Sequence, residues 1–357
     1  MRIGLGIGLG YSKESGGGAV APVNTIAPVI SGTAVVGQVL TSTTGTWTGV
    51  PIPTYSYQWK RGATNIGTNS STYTLVAADA GNTSNITCVV TATNAGGSAN
   101  ATSNQIAQIL TVRTNSFLTA SVISDATIRG GLNTFDIGLI SNSLDTKMRA
   151  LYPFVGGTAS THKFNFMDAR DLNAAFRLSF TGTLVHSSTG INSNGTNGFY
   201  DTNFNCTSSG SLNNQSLGVY IRTNLDGNSG SLDYGTEFTS GALTQIYTKA
   251  LSGTQVTLMR VNDNGAVLSN NTNSQGFYAA SRLSSSNFLQ QKNNTITTTS
   301  VSSVSLPTGN ILGFKNTTIY TPREQAFAFI GDGLTNTELT NLYNLTQQLQ
   351  TTLGRQV

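Results

Sequence analysis

The chain has 357 residues and a mass of 37.4 kDa, enough for two or three domains that each bury a core. Only 10% of the residues are charged, against roughly 25% in an average globular protein, which is typical of extracellular and particle-surface proteins. The formal net charge of +4 comes from dispersed Lys and Arg residues, so we expect no nucleic-acid partner. No apolar run approaches the roughly 20 residues that cross a bilayer, so no membrane partner is expected.

The first segment, residues 1–18, is predicted to be an anchor strand followed by a hinge. Its aliphatic residues alternate with glycine, and a period of two indicates a strand with one apolar face; these residues are Ile3, Leu5, Ile7 and Leu9. A lone glycine-rich strand is unstable, so we expect it to become ordered by pairing with another protein. The alternative is a frayed terminus. Three glycines at 16–18 predict the flexible hinge.

Residues 19–110 contain short β-branched and aromatic segments separated by turns, which predicts a β-sandwich. The clearest strand candidates are 35–41, 56–60, 71–75, 86–93 and 98–103.

One part of this region also resembles a known family. The resemblance lies in GTWTGVPIPTYSYQWKRG, TYTLVAADAG and ITCVVTATNAGGSANATS, which are similar to bacterial and phage Ig-like domains. The resemblance implies that Trp59 is the buried tryptophan of the third strand and that Cys88 occupies the later cysteine position. Val39 or Leu40 stands near the earlier position, so packing alone would hold the domain together.

Residues 111–357 again show strand-like segments with no βαβ rhythm, which predicts a second antiparallel sandwich. LYPFVGGTASTHKFNFMDARD and HSSTGINSNGTNGFYDT resemble the concanavalin-like, or laminin-G-like, domains of phage fibre and decoration proteins. The fold class is therefore predicted as all-β, an Ig-like β-sandwich followed by a larger concanavalin-like jelly-roll β-sandwich with a C-terminal amphipathic helix. The predicted strands of the second domain are 176–180, 216–222, 245–249, 254–261, 276–282, 287–291 and 325–330.

A single helix is predicted, over residues 336–352. Thr335 and Glu338 have the spacing of a capping box, and Gly354 is suited to end the helix. The apolar residues recur on one face and predict packing onto the sandwich, with an oligomer contact as the alternative; they are Leu339, Leu342, Tyr343, Leu349 and Leu353.

Candidate ligand-binding residues occur in two loops that combine tyrosine with amide and carboxylate side chains. An aromatic ring beside such groups is what sugar binding requires. The same residue types also dominate turns and half-buried strands, which is the alternative interpretation. The candidates are Asn194, Asn197, Tyr200, Asp201, Asp233 and Tyr234.

No cofactor is predicted, with calcium left open, because hard oxygen donors that suit calcium cluster in these loops. Turn formation accounts for the same residues. The donors are Asn192, Asn194, Asn197 and Asp201 in one loop, and Asp226, Asn228 and Asp233 in the other.

Patterns for catalysis are sparse. His162 and His186 lack metal-ligand spacing and are interpreted as structural. Asp168 and Asp171 flank Arg170 and are expected to form ion pairs, in contrast to the facing carboxylates of a glycosidase. No Gly-x-Ser-x-Gly elbow occurs. We therefore predict that the protein is not an enzyme, with a polysaccharide depolymerase as the least favoured hypothesis.

Together, the resemblances imply a bacteriophage structural protein on the virion surface. The first hypothesis is a capsid head fibre or decoration protein that docks to other virion proteins through residues 1–18 and binds host or mucus glycans weakly. The alternative is a tail-fibre or spike adhesin that recognises a host surface glycan. A homo-oligomer is expected, with a trimer favoured because fibres tend to be trimers, although no coiled-coil heptad run enforces one.

Overall fold

The computed structural model of the protein describes residues 18–83, 85–226, 230–238, 241–251, 255–265 and 267–357. The anchor prediction, on Ile3, Leu5, Ile7 and Leu9, lies outside the described residues. The chain divides into two compact units, of which the second comprises residues 80–82 and 110–357 and the first the remainder. Among the described residues, no helix combines the length and the apolar character needed to span a membrane.

The first unit is built from antiparallel strands. Their order in the described sheets is β1-β4, β2-β3-β7 and β6-β5-β8-β9. The strands are β1 (Val20–Ile26), β2 (Ile30–Ser31), β3 (Val39–Ser42), β4 (Thr46–Val50), β5 (Thr54–Arg61), β6 (Thr64–Ile66), β7 (Thr72–Thr74), β8 (Ile86–Asn94) and β9 (Gly97–Thr102).

Trp59 lies at the centre of the first unit, and its predicted burial is confirmed. The residue on β5 faces Cys88 on β8, and both side chains are fully buried. Its ring stacks on Tyr73 with centroids 5.5 Å apart, and its indole N–H donates to the Ser70 carbonyl at 2.9 Å. Cys88 is a free thiol, so apolar packing and this indole hydrogen bond stabilise the unit.

The second unit begins with helices and continues as a β-sandwich. Its helices are α1 (Val112–Ser121), α2 (Ala126–Ser141), α3 (Ala159–His162), α4 (Cys206–Ser209) and α5 (Asn336–Thr352). Its first strands are β10 (Met148–Tyr152), β11 (Ser179–Thr181), β12 (Leu184–Ser187), β13 (Gly190–Ser193), β14 (Phe199–Asn205), β15 (Gln215–Ile221), β16 (Tyr234–Gly235) and β17 (Leu243–Leu251). The remainder are β18 (Gln255–Asp263), β19 (Leu268–Asn270), β20 (Gly276–Arg282), β21 (Phe288–Lys292), β22 (Thr295–Thr299), β23 (Asn310–Gly313), β24 (Lys315–Asn316), β25 (Ile319–Tyr320) and β26 (Gln325–Gly331).

Two large antiparallel sheets of the described residues form this sandwich. Sheet A has the order β12-β13-β26-β15-β20-β21-β22, with β10 also paired to β26, and sheet B has the order β11-β14-β23-β16-β17-β18-β19. Apolar side chains from both sheets share one buried cluster, which includes Val219 and Tyr278 from sheet A and Ile246 and Met259 from sheet B. The protein is thus an all-β sandwich protein with added helices.

Helices cover the other face of sheet A, which explains why its central strands are buried on both sides. Phe135 of α2 packs edge-to-face on Phe327, with ring centroids 5.7 Å apart. Tyr343 of α5 packs on Phe277 at 5.8 Å. The predicted amphipathic helix 336–352 and its capping box are confirmed, and the helix packs onto its own sandwich.

Two helices that were not predicted, α1 and α2, precede the sandwich. The sequence of α2 contains glycines, which are poor helix formers, so its pattern did not indicate a helix. The structure supplies the reason for two of them. A Cβ atom at Gly138 would overlap the Leu345 side chain of α5, and one at Gly131 would lie 3.2 Å from Leu349 Cδ1. These glycines let the two helices approach closely.

The strand predicted at 176–180 is also wrong over most of its length. A 3-10 turn at Asn173–Ala175 ends at Phe176, which has a left-handed backbone with φ of 56°. Only Ser179–Thr181 pairs in the sheet. Similarly, the first predicted strand, 35–41, starts only at Val39, after a turn in which Gly37 has φ of 87°.

Candidate functional site

Three of the predicted ligand residues lie in the core of the sandwich. Tyr200, Asp233 and Tyr234 each have 0% exposed surface. The Tyr200 hydroxyl donates to Gln325 Oε1 at 2.5 Å, and Gln325 Nε2 donates to the Asp233 carbonyl at 2.7 Å. A ring without exposed surface cannot stack on a sugar, so the predicted aromatic platform does not form in this structure.

Asp233 forms a buried ion pair with Arg323. The Arg323 guanidinium donates through Nη1 to both Asp233 carboxylate oxygens at 2.9 Å, and neither side chain is exposed to solvent. The backbone N–H and the hydroxyl of Thr248 donate to the same carboxylate at 2.7 and 2.9 Å. Buried charges are tolerated when they are paired and fully hydrogen-bonded. The role of Asp233 in this structure is therefore to join sheet B to the segment that enters β26.

Of the remaining predicted ligand residues, Asn194 and Asn197 organise a turn, and Asp201 lies in strand β14. Asn194 Oδ1 accepts hydrogen bonds from the backbone N–H groups of Thr196, Asn197 and Gly198. Asn197 Oδ1 accepts from the Thr183 backbone N–H at 3.0 Å. These hydrogen bonds stabilise a turn, which was the alternative interpretation of these residues.

Several of the oxygens considered for calcium already accept hydrogen bonds from protein donors. Both Asp201 carboxylate oxygens accept from Asn310 Nδ2 at 3.0 Å. Asn228 lies outside the described residues. Within the described ranges, no three His, Cys, Asp or Glu side chains converge in a way that could hold a metal ion.

The acidic residues of the 168–171 segment form ion pairs, as predicted. Asp168 contacts Arg170 at 2.5 Å, while Asp171 contacts Lys163 at 2.5 Å and Arg177 at 2.8 Å. Hydrogen bonds from Arg170 lower the pKa of Asp168, and those from Lys163 and Arg177 lower the pKa of Asp171.

The two histidines form a pair that the sequence did not predict. His162 at the end of α3 and His186 on β12 lie with their Nδ1 atoms 3.0 Å apart. Burial, with smaller contributions from His186 and Arg355, lowers the pKa of His162 to about 3, and burial also lowers the pKa of His186. His162 Nε2 is buried without a partner among the described residues. Since an unpaired buried N–H is costly, we assign the His162 proton to Nδ1, which donates to His186.

A cleft with a volume of about 330 Å³, lined mainly by threonine, serine, asparagine and glutamine residues, lies at the sandwich edge between the β18–β19 strands of sheet B and the β21–β22 strands of sheet A. Met259 and the Gln290, Gln291 and Thr299 side chains are buried, whereas Thr297 is exposed. The lining residues are Thr257, Met259, Val267, Ser269, Asn270, Gln290, Gln291, Lys292, Thr295, Thr297, Thr298, Thr299 and Ser300.

The cleft presents hydroxyl and amide groups held in place by the protein. Gln290 Nε2 donates to Thr299 Oγ1 at 2.7 Å, and Gln291 Nε2 donates to the Asn293 carbonyl at 2.7 Å. Gln291 Oε1 is buried and accepts no hydrogen bond from the described residues. No motif in the sequence indicated this site. The threonine-rich run at 295–299 was the one local signal, but the cleft depends on which strands end each sheet.

No protein-family model matches the chain, and no curated protein matches it. Among solved structures, the chain is similar to domain 4 of a GH43 extracellular arabinanase from Geobacillus stearothermophilus in complex with arabinotriose, with TM-score 0.39 and 14% identity, covering 55% of this chain and 98% of that one. It is similar to a Trypanosoma rangeli sialidase in complex with sialic acid, with a TM-score of 0.40 and 8% identity. That match covers 88% of this chain and 52% of the sialidase chain. It is also similar to the Ca²⁺ and Man3GlcNAc-bound exoplasmic/lumenal domain of VIP36, with a TM-score of 0.27 and 10% identity. That match covers 44% of this chain and 84% of the VIP36 domain.

We predict that Asp233→Asn destabilises the protein, because it leaves the Arg323 guanidinium buried without its counter-charge. The expected loss is about 3–5 kcal/mol in the free energy of unfolding, measured by chemical denaturation of the full chain. Asp168→Asn is the control, since Asp168 pairs with Arg170 at the surface, and its expected change is within about 0.5 kcal/mol. Equal stabilities of the two variants would contradict the structural role of Asp233.

We also predict that acidification destabilises the fold through the histidine pair. An unfolded histidine binds a proton near pH 6.5, whereas folded His162 binds one only near pH 3. The unfolded state thus binds more protons over this window, and stability falls as the pH drops from 6.5, by up to about 1.4 kcal/mol per pH unit for His162. Denaturation at pH 7, 6 and 5 should show this slope, reduced in His162→Gln/His186→Gln. An unchanged slope in the double variant would contradict the assignment.

Proposed function

We propose that the chain is a glycan-binding protein of a bacteriophage virion surface, and that the glycan binds in the cleft between β18–β19 and β21–β22. The observation that carries the proposal is the cleft itself, whose hydroxyl and amide groups line a cavity of about 330 Å³. This volume falls in the range of small-ligand sites, about 300–1,000 Å³.

The chemistry of the cleft suits a polyol. Threonine and serine hydroxyls both donate and accept, and asparagine and glutamine offer the same pair of functions through separate atoms. Each sugar hydroxyl also donates and accepts, so the two sets of groups are complementary.

The same lining supports binding rather than cleavage. Glycoside hydrolysis commonly uses two carboxyl groups that flank the scissile bond, and no Asp or Glu occurs among the described residues that line the cleft. We therefore propose a non-enzymatic role.

The virion assignment is supported by the sequence. Low charge content, the glycine-alternating residues Ile3, Leu5, Ile7 and Leu9, and the resemblance to phage Ig-like and concanavalin-like domains all favour it. We propose a head fibre or decoration protein, anchored to other virion proteins through residues 1–18 and assembled as a homo-oligomer, with a trimer favoured. The alternative is a tail-fibre adhesin for a host surface glycan.

Filling the cleft should abolish glycan binding without unfolding the protein. Ser269→Trp and Thr297→Trp place a large ring on exposed positions of the lining, and we expect binding at least about tenfold weaker, the effect of about 1.4 kcal/mol, with an unchanged Tm. The measurement is retention of the full chain on an array of host surface polysaccharides and mucin glycans.

The matched control for these variants is Val185→Trp, which adds the same ring to the exposed edge strand β12 at the opposite end of sheet A. Wild-type binding is expected for this control. Full binding by both cleft variants, or an equal loss in all three proteins, would contradict the location of the site.

Labelling of intact particles tests the virion proposal. An antibody against residues 111–357 is expected to decorate the heads of purified phage particles in electron micrographs. Label on tails would favour the adhesin, and particles without label would contradict a virion role.

A further inference from the structure

Among the described residues that line the cleft, Lys292 is the one that carries a charge. Lys292 is the last residue of β21, where it pairs with Tyr278 of β20 and Thr295 of β22. Its ammonium group donates to Asn271 Oδ1 at 2.5 Å and to the Asn273 carbonyl at 3.0 Å. The ring of Tyr278 lies 5.7 Å away. These contacts fix the position of the ammonium group.

The partners of Lys292 are neutral. In the described part of the chain no Asp or Glu oxygen lies within 4.0 Å of its Nζ atom, whereas Lys163, Lys249 and Lys315 each contact a carboxylate within 2.8 Å. Two of the three ammonium donors are used, which leaves one for a ligand. Burial lowers the pKa of Lys292, and a bound anion would oppose that cost by favouring the charged form.

We infer that the cleft selects acidic glycans, and that a sugar carboxylate accepts a hydrogen bond from Lys292 while threonine and glutamine side chains bind the sugar hydroxyls. The inference rests on the proposed glycan-binding function. A charge-assisted hydrogen bond at a fixed, partly desolvated ammonium is stronger than one between neutral groups. Acidic sugars would therefore bind more tightly than neutral sugars of the same shape.

The test compares pairs of glycans that differ only in charge. The full chain is titrated with polygalacturonate, hyaluronan and sialyllactose, and with the carboxyl-reduced form of each. Wild-type protein is expected to bind at least one acidic member about tenfold more tightly than its reduced partner. Lys292→Gln is expected to bring the ratio of the two affinities, acidic glycan over reduced glycan, to about one.

Lys60→Gln is the control, because it removes the same charge from the first unit, where Lys60 contacts Asn65 at 3.0 Å. Its acidic preference should remain. Equal affinity for acidic and reduced glycans, a preference that survives in Lys292→Gln, or an equal loss in Lys60→Gln would overturn the inference. Equal binding of polyglutamate would overturn the assignment to sugars.

The same titrations separate the glycan-binding function from the preference for acidic glycans. If neutral glycans bind and the cleft-filling variants lose that binding, the function stands while the acidic preference is overturned. If no glycan of either kind binds the wild-type chain, both are overturned.

Discussion

The sandwich of the second unit depends on a buried polar network centred on the ion pair of Asp233 and Arg323. Neither side chain reaches solvent, so the charges could not be separated without a large desolvation cost. Gln325 extends the network from the Asp233 carbonyl to the Tyr200 hydroxyl, and it lies on sheet A whereas Tyr200 lies on sheet B. The network thus sets the position of one sheet against the other.

Two other arginine side chains, Arg282 and Arg355, are buried in the second unit and donate hydrogen bonds to protein acceptors. Arg282 pairs with Asp263 at 3.1 Å and donates to backbone carbonyls that include Val301. Arg355 donates to the carbonyls of Phe154 and Ala326, which ties the segment after α5 to the sandwich. Arginine suits these positions because its planar group offers five donors in a fixed arrangement. Together these residues satisfy backbone carbonyls where loops enter the core.

The position of the candidate site follows from this architecture. The centre of the sandwich is filled by aromatic and aliphatic side chains, and α2 and α5 cover the other face of sheet A. The cleft therefore lies where the last strands of both sheets meet. Its walls are β-strands with paired backbones, and the side chains of Gln290, Thr299 and Lys292 are held by hydrogen bonds. A ligand would therefore bind to groups that are already in place, which reduces the entropic cost of binding.

Much of the fold could be predicted from local pattern, but the site could not. The strand predicted at 276–282 has the observed bounds, and helix 336–352 was indicated by its capping box and apolar face. Helix α2 was not predicted because it contains Gly131 and Gly138, and glycine disfavours helices. These glycines are explained only by the close approach of α5. Asp233 and Tyr234 have the composition of a binding loop, yet their burial depends on Arg323 and Gln325, about 90 residues later. Lys292 has no local signal, since its cleft is formed by strands distant in sequence.

The most direct test of the account is a crystal structure of the full chain with an acidic oligosaccharide that binds it in solution. Binding of an acidic glycan in the cleft predicts electron density for the sugar between β19 and β22, with its carboxylate within hydrogen-bond distance of Lys292 Nζ. Sugar density at the 194–201 loop with an empty cleft would contradict it.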